Sequence, residues 1–154
     1  MKINYIIIPL ITIIISLLGS YLTNSGMDWY KTINLPSFTP AGSFIGIVWT
    51  IIFILTTISA LIVWNNYSGA DRFWLIIGLF IANAILNLTW SLLFFNQHLI
   101  FLAIIDAVFL DLSVIALMIL IWPLSKLGAG LLLPYAIWTA FATYLNYRIW
   151  LLNK

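Results

Sequence analysis

The sequence has no cysteine and no glutamate, a single histidine at His98, and charged side chains at only 6% of its 154 positions. Without cysteine there can be no disulfide, no thiolate metal site and no thioether-linked haem. One imidazole cannot supply a centre built from several histidines, so neither a metal nor a resident cofactor is expected. The few cations form no basic stripe, and nucleic acid would find no electrostatic footing here. A soluble domain carries about a quarter charged residues. A chain that is 64% apolar with so little charge suits hydrocarbon as its solvent, because lipid offers charge no favourable partner.

What is present is a set of long apolar runs. A helix needs roughly 20 apolar residues to cross about 30 Å of hydrocarbon. Five stretches qualify, at about 3–22, 44–64, 73–95, 99–122 and 127–151. The prediction is an all-α integral membrane bundle in which 1–154 forms one unit. Short connectors make sequential helices antiparallel neighbours. Lys2 ahead of the first run also admits a cleaved signal peptide. That run is long for a signal core, and no small-x-small cleavage site follows it. Orientation stays open: Lys2, Arg72 and Lys126 fall on one side, Lys31, Arg148 and Lys154 on the other, and the positive-inside count ties.

The connector over 23–43, TNSGMDWYKTINLPSFTPAGS, is too polar and proline-broken to span and too long for a turn. Such loops are commonly functional lids. Trp29, Tyr30, Leu35 and Phe38 give this one apolar surface with which to dock. Of the eight tryptophans, Trp64, Trp74, Trp122 and Trp150 lie near predicted helix ends, where indoles anchor at headgroups. Trp49, Trp90 and Trp138 lie deeper.

In the third segment Asn83, Asn87 and Trp90 share one face. Amides at this depth need partners, either across helices or in a ligand. In the fifth segment Pro134, Trp138, Ala142 and Leu145 form a stripe with Asn146 beside it. A flat ring next to a small residue leaves a slot, although an indole in the bundle core would look the same. The fourth segment holds Asp106 and Asp111, five apart and on different faces. Acids at this depth suggest either proton coupling or, as the simpler reading, acceptance of bonds from neighbouring helices. Small residues recur four apart, as in Ser16 with Ser20, Gly42 with Gly46, and Gly78 with Ala82, a spacing that permits close helix contact.

Three stretches carry a resemblance: WYKTINLPSFTPAGSFIGIVWTIIF from Trp29, LNLTWSLLFF from Leu86, and PYAIWTAFATYLNYRIWLLN from Pro134. In order and spacing they resemble the translocator protein / tryptophan-rich sensory protein family (TspO/MBR), over nearly the whole chain. The resemblance implies a homodimer of five-helix protomers in a membrane, here a bacterial cytoplasmic membrane, each with a pocket roofed by the first loop. It implies porphyrins and other flat hydrophobic molecules, including benzodiazepine-type drugs, as ligands. Carried over by motif, the ligand-binding residues are Tyr30, Trp49, Asn87, Trp90, Trp138, Ala142 and Asn146. Trp49 and Trp138 would be the catalytic residues if porphyrin is degraded in light. The alternatives are a non-catalytic sensor or carrier, and a proton-coupled transporter using Asp106 and Asp111. The family's sterol motif is not formed, since Arg148 directly follows Tyr147 and Lys154 falls one position too far.

Overall fold

The computed structural model describes residues 3–154; Lys2, counted in the charge balance above, lies outside them. The elements are α1 (Asn4–Ser25), α2 (Met27–Tyr30), α3 (Gly42–Asn66), α4 (Phe73–Ser91), a π-helical turn (Leu92–Asn96), α5 (Ile100–Ile121), α6 (Lys126–Gly130) and α7 (Leu133–Asn153). Five helical stretches are long and apolar enough to cross a membrane, the last comprising α6 and α7 together. The chain is an all-helical integral membrane protein.

Three boundaries differ from the sequence reading, each for a local reason. The first helix runs on to Ser25 and is followed at once by α2, so the irregular connector is limited to 31–41. The last span is broken rather than continuous. Pro134 has no N–H to offer the carbonyl one turn back, and α7 starts afresh with this proline in its first turn. The third span ends in a wider π turn that buries the consecutive rings Phe94 and Phe95 together, which successive positions of a regular helix would aim apart.

The helices form a ring. α1 lies between α3 and α4, α4 packs along α5, α5 packs along α7, and α6 closes the circle by touching both α5 and α3. At the α6 end the closure is tight. Ser59 Oγ donates to the Gly128 carbonyl over 2.8 Å, and Ser125 caps α6 by accepting from Gly128 N at 3.0 Å.

Large apolar side chains cover the outside of the bundle as well as its core, and polar side chains lie within. Leucines and isoleucines of α1, Trp74 and Trp122 are exposed, whereas Ser59, Asn83, Asn87, Ser113, Thr139 and Asn146 are buried. Lipid tails are as apolar as leucine, so helices associate through packing of small groups and interhelical hydrogen bonds. α1 shows this most plainly. Asn4 is its one buried residue, and Asn4 Nδ2 donates to Asn65 Oδ1 of α3 at 2.6 Å. Midway along the pair, Thr57 Oγ1 donates to Thr12 Oγ1 at 2.9 Å.

The α1–α2 junction presses against the π turn at Gly26, where an added Cβ would run into the Phe95 carbonyl. Gly26→Ala is therefore expected to cost about 1–3 kcal/mol through overpacking, read as a lower midpoint in thermal unfolding. Gly69→Ala, where a Cβ meets nothing within 4 Å, should leave the midpoint in place.

Candidate functional site

The ring encloses a cavity of about 560 Å³ toward the α2 end, walled by α1, α2, α3, the end of α4, α5 and α7. All seven residues carried over by motif stand on its wall: Tyr30, Trp49, Asn87, Trp90, Trp138, Ala142 and Asn146. The stripe on α7 divides, since Trp138, Ala142 and Leu145 line the cavity and Pro134 does not.

The rings are braced by neighbours. Trp49 meets Tyr135 edge-on at 5.9 Å between centroids, and Trp90 stacks on Phe94 at 5.6 Å. Trp138 lies between Phe44 at 6.2 Å and Phe141 at 5.4 Å. Contacts of this kind hold aromatic planes in defined orientations. Tyr30, outside the spans, packs on Phe94 and Phe95. Burial raises its phenol above the ordinary range, which keeps it a neutral hydrogen-bonding group at physiological pH.

A polar chain approaches the cavity through the bundle centre. Asn83 Nδ2 donates to Ser113 Oγ at 2.8 Å, and Tyr135 OH donates to Asn83 Oδ1 at 3.0 Å. Asn87 Nδ2 lies 3.4 Å from the same phenol oxygen, a long contact. The two asparagines that shared one reading in the sequence thus separate. Asn83 is an interhelical partner, and Asn87 is the member of the chain that also faces the cavity. Asp111 follows the simpler reading, accepting from Thr139 Oγ1 of α7 at 2.6 Å. Asp106 departs from it, because its buried Oδ2 has no hydrogen-bond partner among the described residues.

Three buried donors on the cavity wall also lack a protein acceptor among the described residues: Trp90 Nε1, Trp138 Nε1 and Asn146 Nδ2. Among the described residues no lysine, arginine or histidine lines the cavity. It is a mostly apolar space offering flat rings and unspent N–H groups, which suits a flat ligand with hydrogen-bond acceptors.

Sequence reasoning missed the α1 wall, formed by Ser16, Gly19, Ser20, Thr23 and Asn24. Its signal was visible in the small pair Ser16 and Ser20, read as helix contact. Within one protomer a Cβ at Gly42, Gly46 or Gly78 would meet nothing within 4 Å. Gly42 and Gly46 line the cavity, so their missing side chains leave room in it rather than bring helices together.

The connector is fastened to the end of α7. Asn34 N donates to Asn153 Oδ1 at 2.9 Å, and Asn153 Nδ2 donates back to the Asn34 carbonyl at 2.9 Å. Phe38 stacks on Tyr144 at 5.8 Å, with the Arg148 guanidinium 6.0 Å from each ring. Trp29 of α2 stacks on His98 at 4.1 Å; this histidine has a φ of 57°.

The architecture defines a class: a membrane-embedded helical bundle enclosing a tryptophan-lined cavity. Comparison with known proteins identifies the group within that class. The model of the TspO/MBR family matches residues 6–151, and the chain belongs to that family. It is 36% identical over 154 residues to the tryptophan-rich protein TspO of Bacillus cereus, covering 99% of both chains. It is also 36% identical over 136 residues to the protein of that name from Archaeoglobus fulgidus, covering 88% of this chain and 87% of the other. Similarity extends to the human translocator protein, 28% identical over 131 residues, covering 84% and 78%. Family and fold together support a membrane binding or sensor role.

Tyr135 links two cavity groups, touching the Trp49 ring and the Asn87 amide at once. Tyr135→Phe keeps the ring and deprives two buried asparagines of their shared partner, an expected loss of about 1–3 kcal/mol. Unfolding in detergent measures it, and Tyr144→Phe at the exposed end of α7 serves as the comparison.

Proposed function

We propose that the chain is a membrane receptor for porphyrins and other flat hydrophobic molecules, held in the cavity against Trp49, Trp90 and Trp138. The observation that carries this reading is the coincidence of those rings with three unpartnered N–H groups on one wall. Burying an N–H without an acceptor is costly, and a planar molecule with ring nitrogens or carbonyls would relieve that cost while filling the slot. Asn87, Asn146 and Tyr30 orient the plane, Ala142 leaves room for it beside Trp138, and the fastened connector serves as the lid. The protein would act in a bacterial cytoplasmic membrane, as a homodimer.

A second reading is supported by Trp49 and Trp138 both standing on the cavity wall. Indole is the most readily oxidised side chain there, and the chromophore would carry the demanding chemistry. An electron passes from indole to the light-excited porphyrin, leaving an indole radical cation and a reduced ring. Dioxygen, the required oxidant, adds to a carbon of the reduced ring. Return of the extra electron to the indole radical cation restores the tryptophan and closes a neutral dioxetane, whose O–O and C–C bonds break to give two carbonyls. Trp49 and Trp138 are the catalytic residues of this version.

One titration with protoporphyrin, in darkness and then under aerobic light, separates the two readings. Saturable quenching of tryptophan fluorescence is expected in the dark, with the dissociation constant raised about tenfold in Trp138→Ala, as loss of a stacking ring of roughly 1.4 kcal/mol implies. Asn146→Leu should weaken binding as well. No saturable quenching would sink the receptor reading. Product formation in light that persists unchanged in Trp49→Phe and Trp138→Phe would end the catalytic one.

A further inference from the structure

Three routes lead toward the cavity, and the structure treats them differently. At the α2 end the connector is held by the reciprocal Asn34–Asn153 bonds and by the Phe38–Tyr144 stack. Along the flank between α3 and α7, Phe44 closes on Trp138. The flank between α1 and α3 is tied at its far end and middle, through Asn4–Asn65 and Thr12–Thr57. Toward the α2 end the two helices instead present small residues, Ser20 and Asn24 opposite Gly42, Gly46 and Thr50.

Exposure locates the opening. Every cavity-lining residue that is also exposed belongs to α1 or α3, and these five are the ones. Ser20, Gly46 and Thr50 lie one to about two turns inside helices long enough to span the membrane, which sets the mouth at the edge of the hydrocarbon, on the bundle's flank. The seam is built to stay open there. A Cβ at Gly42 or Gly46 would meet nothing within 4 Å. Thr50 Oγ1 donates to the Gly46 carbonyl at 2.8 Å, and Ser16 Oγ to the Ile13 carbonyl at 2.9 Å. The Thr50 and Ser16 hydroxyls are satisfied within their own helices, so these two groups can face lipid with their donors met. Behind the mouth waits the buried, unpartnered Asn146 amide.

We propose that the cavity is loaded from the bilayer through the α1–α3 seam and not past the connector. Its ligands are then molecules already dissolved in the membrane, and Gly46 sets the size that passes. This rests on the receptor reading above.

The test follows protoporphyrin entry by stopped-flow tryptophan quenching in the full chain reconstituted in phosphatidylcholine vesicles, with dissociation followed by transfer to empty vesicles. Gly46→Phe places a ring in the mouth, and Ser20→Leu narrows it from the opposite rail should the first variant fold poorly. Asn153→Ala releases the connector. Entry and exit should both slow about tenfold in the seam variants and change less than about twofold in Asn153→Ala, because a narrowed gate slows passage in both directions whereas weaker binding alone would speed exit. Entry at the parental rate in both seam variants overturns the proposal, as does entry about tenfold faster in Asn153→Ala. No quenching in the unmodified protein would instead fail the receptor reading itself.

Discussion

Every polar group inside this bundle must find its partner without water. In hydrocarbon an unmet N–H or carbonyl is expensive, and the interior is organised around that cost. Ser113, Asn83, Tyr135 and Asn87 hand hydrogen bonds along a line through the centre, while Ser59, Thr57 and Asn4 each bind a neighbouring helix. These bonds fix which helices touch. The apolar residues, free to face lipid, decide much less.

Against that rule the exceptions are informative. Of the buried polar atoms left without a partner among the described residues, three are N–H donors on the wall of one cavity. The other three, Thr56 Oγ1, Asn96 Oδ1 and Asp106 Oδ2, belong to residues outside the cavity lining. All three of the unpartnered N–H donors thus lie where the tryptophans also converge.

Much of this was legible in the sequence. Five spans follow from five apolar runs, because crossing hydrocarbon fixes a minimum length. The cavity faces of α4 and α7 follow from Asn87 with Trp90, and from Trp138 with Ala142, at helical spacing. Reading failed where the physical cause lies outside the segment concerned. Gly46 looks like a contact residue, since a missing side chain admits either a helix or a ligand equally well. Asn83 and Asn87 look equivalent until Tyr135, some fifty residues away, selects one of them as its acceptor. The π turn after Ser91 has no periodic signature in the sequence, and neither does the close approach of Gly26 to the Phe95 backbone.

By itself, then, the sequence determined the solvent, the number of crossings and the family, because these depend on composition, run length and motif order within single stretches. Only the tertiary structure decided where the cavity lies, which amides remain unspent and which seam stays open. Those properties belong to the gaps between helices, and a gap is defined by what two segments jointly fail to fill.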